Sequence, residues 1–295
     1  MNKYKKIFSA TALATLLSLS HSAFSEASDV IDDEVSNFHV RVQYSGPLSN
    51  WFNTMDGNAL QFNGSSGFTP LKGFSKDGKS GNNAIDYKPN YKSTWKNGNV
   101  AVGYTMEGIK FELEGFYADL DVDGSGYKKG GSGADKESDK PENAKRFGTS
   151  DKLEKATTDT GNTGARTIGD NEGFSHVGLM VNAQYDLELD GDIPVTPYVG
   201  AGVGVARTKF VGKSFFRPAY QARAGVAYTV APGIKLYGGY RFLGLYGSEF
   251  KDVELQKSEA PGTPAAVQEV KDKQTLKQDS MLGTHGLEAG VAFHF

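Results

Sequence analysis

Eight segments of this chain alternate side-chain character with period two, and this pattern constrains the fold more than any other feature. Residues i and i+2 of a strand share a face, so strict alternation marks a ribbon with two different sides. Phe38, Val40, Val42 and Tyr44 alternate with His39, Arg41, Gln43 and Ser45 in Asn37–Ser45. The same two-sided reading covers Asn99–Glu107, Ile109–Tyr117, Phe174–Glu188, Val195–Ala206, Ala219–Thr229, Ile234–Phe242 and His285–Phe295. Glu107-Gly108 and Ala231-Pro232-Gly233 are tight-turn signals between neighbouring segments. The chain is therefore expected to be all-β.

Alternation suits a soluble sandwich as well as a membrane barrel, and three features favour the barrel. Connections alternate between short and long, as they do where short turns line one rim and long loops the other. Tyr44, Tyr104, Tyr117, Tyr185, Tyr220 and Tyr228 fall near the ends of the apolar stripes, where an interfacial aromatic girdle sits. The last strand ends on Phe295. Closure also removes strand edges, which hydrocarbon requires because unpaired backbone groups there cost several kcal/mol each. The expected fold is an eight-stranded antiparallel transmembrane β-barrel with long, disordered extracellular loops. With the N-terminus on the periplasmic side, segments 46–98, 119–173, 207–218 and 243–284 all face outward. Three of these are long, at about 46–98, 119–173 and 243–284. Their Gly-, Ser-, Asn-, Lys- and Asp-rich content, as in Gly124–Gly133, is too polar to bury a core of its own. It also explains a mean hydropathy of −0.45 in a membrane protein.

Residues 1–25 read as a secretory signal peptide: Lys3, Lys5 and Lys6 precede an uncharged apolar run, and Ala23-Phe24-Ser25 offers a cleavage site before Glu26. The run is shorter than the roughly 20 residues a spanning helix needs. The mature domain is then 26–295. Removing the segment takes away three lysines and no acids, which makes a chain of formal charge −3 more acidic. Nucleic acid is not an expected partner, because little in such a chain would collect phosphates. Without cysteine, disulfide frameworks, thiol nucleophiles and cysteine metal sites are excluded.

Inward positions carry charge. Arg41, Glu112, Glu114, Arg223, Arg241 and Glu288 are expected to form a paired cluster in the lumen, with Glu288 between Arg241 on one neighbouring strand and Arg41 on the other. Such a cluster either lines a selective passage or plugs it. Eight strands enclose a space that side chains can fill, and buried charges must be paired, so the plug is favoured. Asp119, Asp121, Asp123 and Gly124 match the opening of a calcium loop, but position twelve is Gly130 where a bidentate Glu is needed. That stretch is read as a solvated acidic loop. Gly200-Ala-Gly-Val-Gly204 lies inside a strand with no helix following, so it lacks a nucleotide-binding context. Its glycines instead make room for larger lumen residues. No Gly-x-Ser-x-Gly or His-Glu-x-x-His motif occurs. No enzyme activity, cofactor or metal is expected; a hydrolytic barrel would have drawn on His285 at the mouth.

Asp190–Gly204, Ala219–Val226 and the ending Gly286–Phe295 resemble the major surface antigen family of Anaplasma-, Ehrlichia- and Wolbachia-type obligate intracellular bacteria. Tyr4–Ala10 and Lys235–Arg241 look most like the Wolbachia members. The resemblance implies an abundant outer-membrane barrel that exposes variable loops for host interaction. Its implied partners are outer-membrane lipid and host surface molecules or antibodies. A passive diffusion porin for small hydrophilic solutes is the alternative function. No oligomeric state follows from the sequence.

Overall fold

The computed structural model describes residues 37–47, 60–64, 67–74, 85–94, 96–127, 141–149, 166–187, 194–258, 270–278 and 282–295. Residues 1–25, expected to be a signal peptide, lie outside the described residues.

Eight long strands close into an antiparallel barrel. They are β1 (Phe38–Pro47), β2 (Gly98–Met106), β3 (Ile109–Val122), β4 (Phe174–Asp186), β5 (Val195–Phe210), β6 (Lys213–Ala231), β7 (Ile234–Leu245) and β8 (Leu282–His294). Each pairs with its sequence neighbours, and β1 pairs with β8, so the ring has no open edge. All eight alternating segments form these strands.

The two faces separate as the alternation requires. Val177, Leu179, Val181, Val199, Val203, Val205, Val226, Leu236 and Leu287 stand exposed on the outside. A soluble protein would not leave so broad an apolar belt in water, whereas a lipid-facing barrel needs one. Tyr104, Tyr185 and Tyr228 rim the belt at the short-turn end and Tyr44 and Tyr117 at the loop end, all exposed. Tyr220 on β6 is half-buried at the loop end. No helix among the described residues is long enough and apolar enough to cross a membrane. The barrel crosses with its strands.

Turn chemistry sets the registers. Glu107 and Gly108 both take positive φ (52° and 80°) between β2 and β3. Val211 and Gly212 do the same (43° and 75°) between β5 and β6. Two consecutive left-handed residues give a turn whose twist matches that of the flanking strands. The second turn corrects one expectation. Segment 207–218 is not a separate loop: β5 and β6 stay paired to Phe210 opposite Lys213 and form a hairpin that projects beyond the belt. Arg207 and Lys209 replace apolar residues on its outer face, so the stripe breaks although the ladder continues.

A second difference concerns the long loops. Expected to lack structure, their described parts instead assemble a second, eight-stranded antiparallel sheet. Its order runs Gly67–Pro70, Leu60–Gly64, Val270–Gln278, Glu249–Ser258, Arg166–Asp170, Arg146–Gly148, Lys72–Gly73 and Ile85–Asp86. All three long loops contribute, so no loop alone carries the apolar residues that fold it. Leu60, Leu71, Tyr87, Phe147, Phe250, Val253, Leu255 and Leu276 are among its buried side chains. They join Phe116, Leu120, Phe174, Met180, Phe210, Leu243 and Leu245 of the barrel in one continuous cluster. The loop sheet is thus a lid packed onto the barrel mouth.

Candidate functional site: the barrel interior and its lid

The interior is filled in three layers. Nearest the short turns, Tyr198, Ala227, Tyr237 and Ala292 form a small apolar cluster. Tyr198 and Tyr237 meet edge to face at 5.5 Å. Lys110 bridges this layer, holding Asp186 at 2.5 Å and donating to the Tyr237 hydroxyl at 3.0 Å.

Above it lies the charge cluster. Glu112 and Glu114 project from β3, because residues i and i+2 share a face. Three guanidiniums converge on them from β1, β6 and β7. Arg41 reaches Glu112 at 2.5 Å and Glu114 at 3.7 Å. Arg223 lies 3.3 Å from Glu112 and 2.7 Å from Glu114, and Arg241 lies 2.7 Å from Glu114. Amides complete the shell: Asn99 and Asn182 donate to Glu114 at 3.0 and 2.9 Å, and Gln184 accepts from Arg41 at 3.0 Å. His39 sits 3.1 Å from Glu112. Every one of these side chains is buried. Two carboxylates so enclosed would be untenable without cationic partners at hydrogen-bond distance.

Five of the six expected cluster residues therefore meet. Glu288 does not join them as foreseen. It is buried but makes no ion pair within 4 Å among the described residues; it accepts a 2.9 Å hydrogen bond from Tyr198. Register explains the difference. Glu288 stands opposite Gly239 and Ser45, two positions short of Arg241. Arg241 reaches across the lumen to β3 instead. Alternation gives the face of each residue but not which long side chains cross the barrel.

Small residues make the crossing feasible. Ala292 and Ala101 flank Arg41, Gly103 faces Glu112, Gly200 faces Arg223, and Gly286 faces Arg241. The inward glycines thus make room, as expected of Gly200, Gly202 and Gly204. A Cβ on Gly103 would lie 2.6 Å from the His39 ring, and one on Gly239 would lie 2.6 Å from the Tyr198 hydroxyl.

The third layer is the underside of the lid. His176 is buried and bonds Thr208 at 3.0 Å. Above it Phe174 stacks on Phe210 at 4.3 Å, and Phe250 from the lid packs against Phe210 at 4.6 Å. Arg217 lies over the Phe250 ring at 4.6 Å and donates to the carbonyls of Gly247 (2.7 Å) and Glu249. Within the lid, Tyr87 donates to the Ala144 carbonyl at 3.0 Å. Burial holds its phenol well above the ordinary value, so the group remains a donor.

The other residues singled out from the sequence lie apart. His285 is on the outer face, against Phe242 at 4.8 Å and bonded to Tyr240. Asp119 receives Thr94 and Lys96, and Asp123 caps Ser125 within its own turn.

The surface antigen family model matches residues 30–295, nearly the whole chain. The chain belongs to the surface antigen family. Major surface antigen 4 of Anaplasma marginale is 28% identical over 160 residues, covering 54% of this chain and 50% of that protein. An uncharacterised protein of Brucella abortus is 29% identical over 149 residues, covering 43% of this chain and 49% of its own length. The chain spans about half the length of the curated relatives it matches. Neisserial surface protein A, a solved structure, aligns over 88% of this chain and 98% of its own with 15% identity and a TM-score of 0.36. A closed antiparallel barrel with a lipid-facing belt is the architecture of the bacterial outer membrane, and this surface antigen is an outer-membrane barrel.

Proposed function

We propose that this surface antigen is a filled anchor that holds its lid outside the cell for contact with host surface molecules or antibodies, after export directed by residues 1–25. The observation that carries this reading is the continuous apolar cluster joining the barrel mouth to the lid. Rigid attachment of a loop-built sheet suits presentation of a surface. Passage of solutes would require a water-filled path, and two features oppose one. Below the lid, the interior is cross-linked by buried ion pairs among Arg41, Glu112, Glu114, Arg223 and Arg241. Eight strands leave only enough room for such side chains. The cluster therefore acts as a plug rather than a selectivity lining.

Conductance across planar bilayers, measured beside protease shaving of intact cells, tests both halves. The anchor reading expects no steady conductance from inserted protein and cleavage confined to the lid segments. Stable ohmic channels would favour the diffusion porin instead. Cleavage at the short turns, with the lid protected, would reverse the orientation.

A further inference from the structure

On β5 the outward apolar positions run from Val195 to Val205. At a strand rise of about 3.4 Å and a tilt near 40°, those ten steps climb about 26 Å. That distance uses up the roughly 25 Å height of a barrel's apolar band. The next two outward positions are Arg207 and Lys209, both exposed, at the level where hydrocarbon gives way to headgroups. Neither has a carboxylate within 4 Å among the described residues. Arg207 faces Val177 on β4 and Phe216 on β6; Lys209 faces Ser175 and Ser214. Arg207 also donates to Ser214 at 3.1 Å. Phe216 is 80% exposed, an extent that water would penalise but an interfacial position would not.

We propose that Arg207 and Lys209, flanked by Ser175, Ser214 and Phe216, form a docking site for the phosphate of an anionic phospholipid in the leaflet next to the lid. Two cations supply the charge complement, and the hydroxyls are additional donors to phosphate oxygens. The acyl chains then descend over Val177, Val203 and Val205, so the site continues the lipid-facing surface. It requires the barrel in a bilayer but neither its orientation nor a host partner.

Native mass spectrometry of the detergent-solubilised full chain, titrated with phosphatidylglycerol or phosphatidylcholine, tests the site. At about 5-fold per basic residue near an anionic surface, Arg207→Gln with Lys209→Gln should weaken phosphatidylglycerol retention about 25-fold and leave phosphatidylcholine unchanged. Lys251→Gln with Lys273→Gln, the same charge loss on the lid, should change neither. Equal weakening by the lid pair, or undiminished phosphatidylglycerol preference in the Arg207/Lys209 pair, would overturn the site. Should the Arg207/Lys209 pair fail to fold, the wild-type preference must still fall as salt rises; a salt-insensitive preference would overturn it equally.

Discussion

Glu114 holds the interior together, and its replacement by Gln isolates the electrostatic part of that role. The carboxylate is fully buried and takes Arg223 and Arg241, each at 2.7 Å. Arg223 retains Glu112 at 3.3 Å when Glu114 is neutral. Arg241 retains no carboxylate within 4 Å among the described residues. One guanidinium is therefore stranded in a buried setting, which costs about 3–5 kcal/mol. Glu288→Gln is the matched control. Among the described residues its carboxylate accepts one hydrogen bond, from Tyr198 at 2.9 Å, and an amide oxygen can still accept there. Weakening that one bond costs about 0.5–1.5 kcal/mol. Urea unfolding of both variants in lipid vesicles, scored by the cold-gel mobility of the folded barrel and extrapolated linearly to water, measures the difference. If Glu288→Gln destabilises as much as Glu114→Gln, or if Glu114→Gln costs under about 1 kcal/mol, the assignment of Glu114 as the hub is wrong.

Three further outcomes follow from the packing. Gly239→Ala should destabilise the barrel by about 1–3 kcal/mol, because its Cβ would lie 2.5 Å from the Ala224 carbonyl, while Gly238→Ala, with nothing within 4 Å, should stay within about 0.5 kcal/mol in the same assay. Ala201→Arg, midway up the apolar stripe of β5, should cost about 2–4 kcal/mol, whereas Phe216→Arg above the belt should cost at most about 1 kcal/mol; equal penalties would misplace the bilayer. Phe250→Ala removes the ring that packs against Phe174, Phe210 and Phe215. A loss of about 3–5 kcal/mol should loosen the lid, and limited proteolysis should then cut Glu249–Ser258 faster while the barrel band persists.

The eight strands, their inward and outward faces and their antiparallel order were legible in the residues alone. Lipid on one side and a packed interior on the other impose opposite chemistry on alternate positions, and the chain records that chemistry locally. Arg41, Glu112, Glu114, Arg223 and Arg241 could be gathered into one cluster for the same reason. The pairing within it could not. Whether Arg241 meets Glu288 on the adjacent strand or Glu114 across the lumen depends on strand stagger and on the space left by Gly103, Gly200 and Gly286, quantities that no single segment contains. The lid escaped the sequence for a related reason. Leu60, Phe147, Leu255 and Leu276 lie in four separate polar stretches, each too poor in apolar residues to fold alone. Only the closed barrel, by holding the roots of three loops around one mouth, brings them close enough to bury one another.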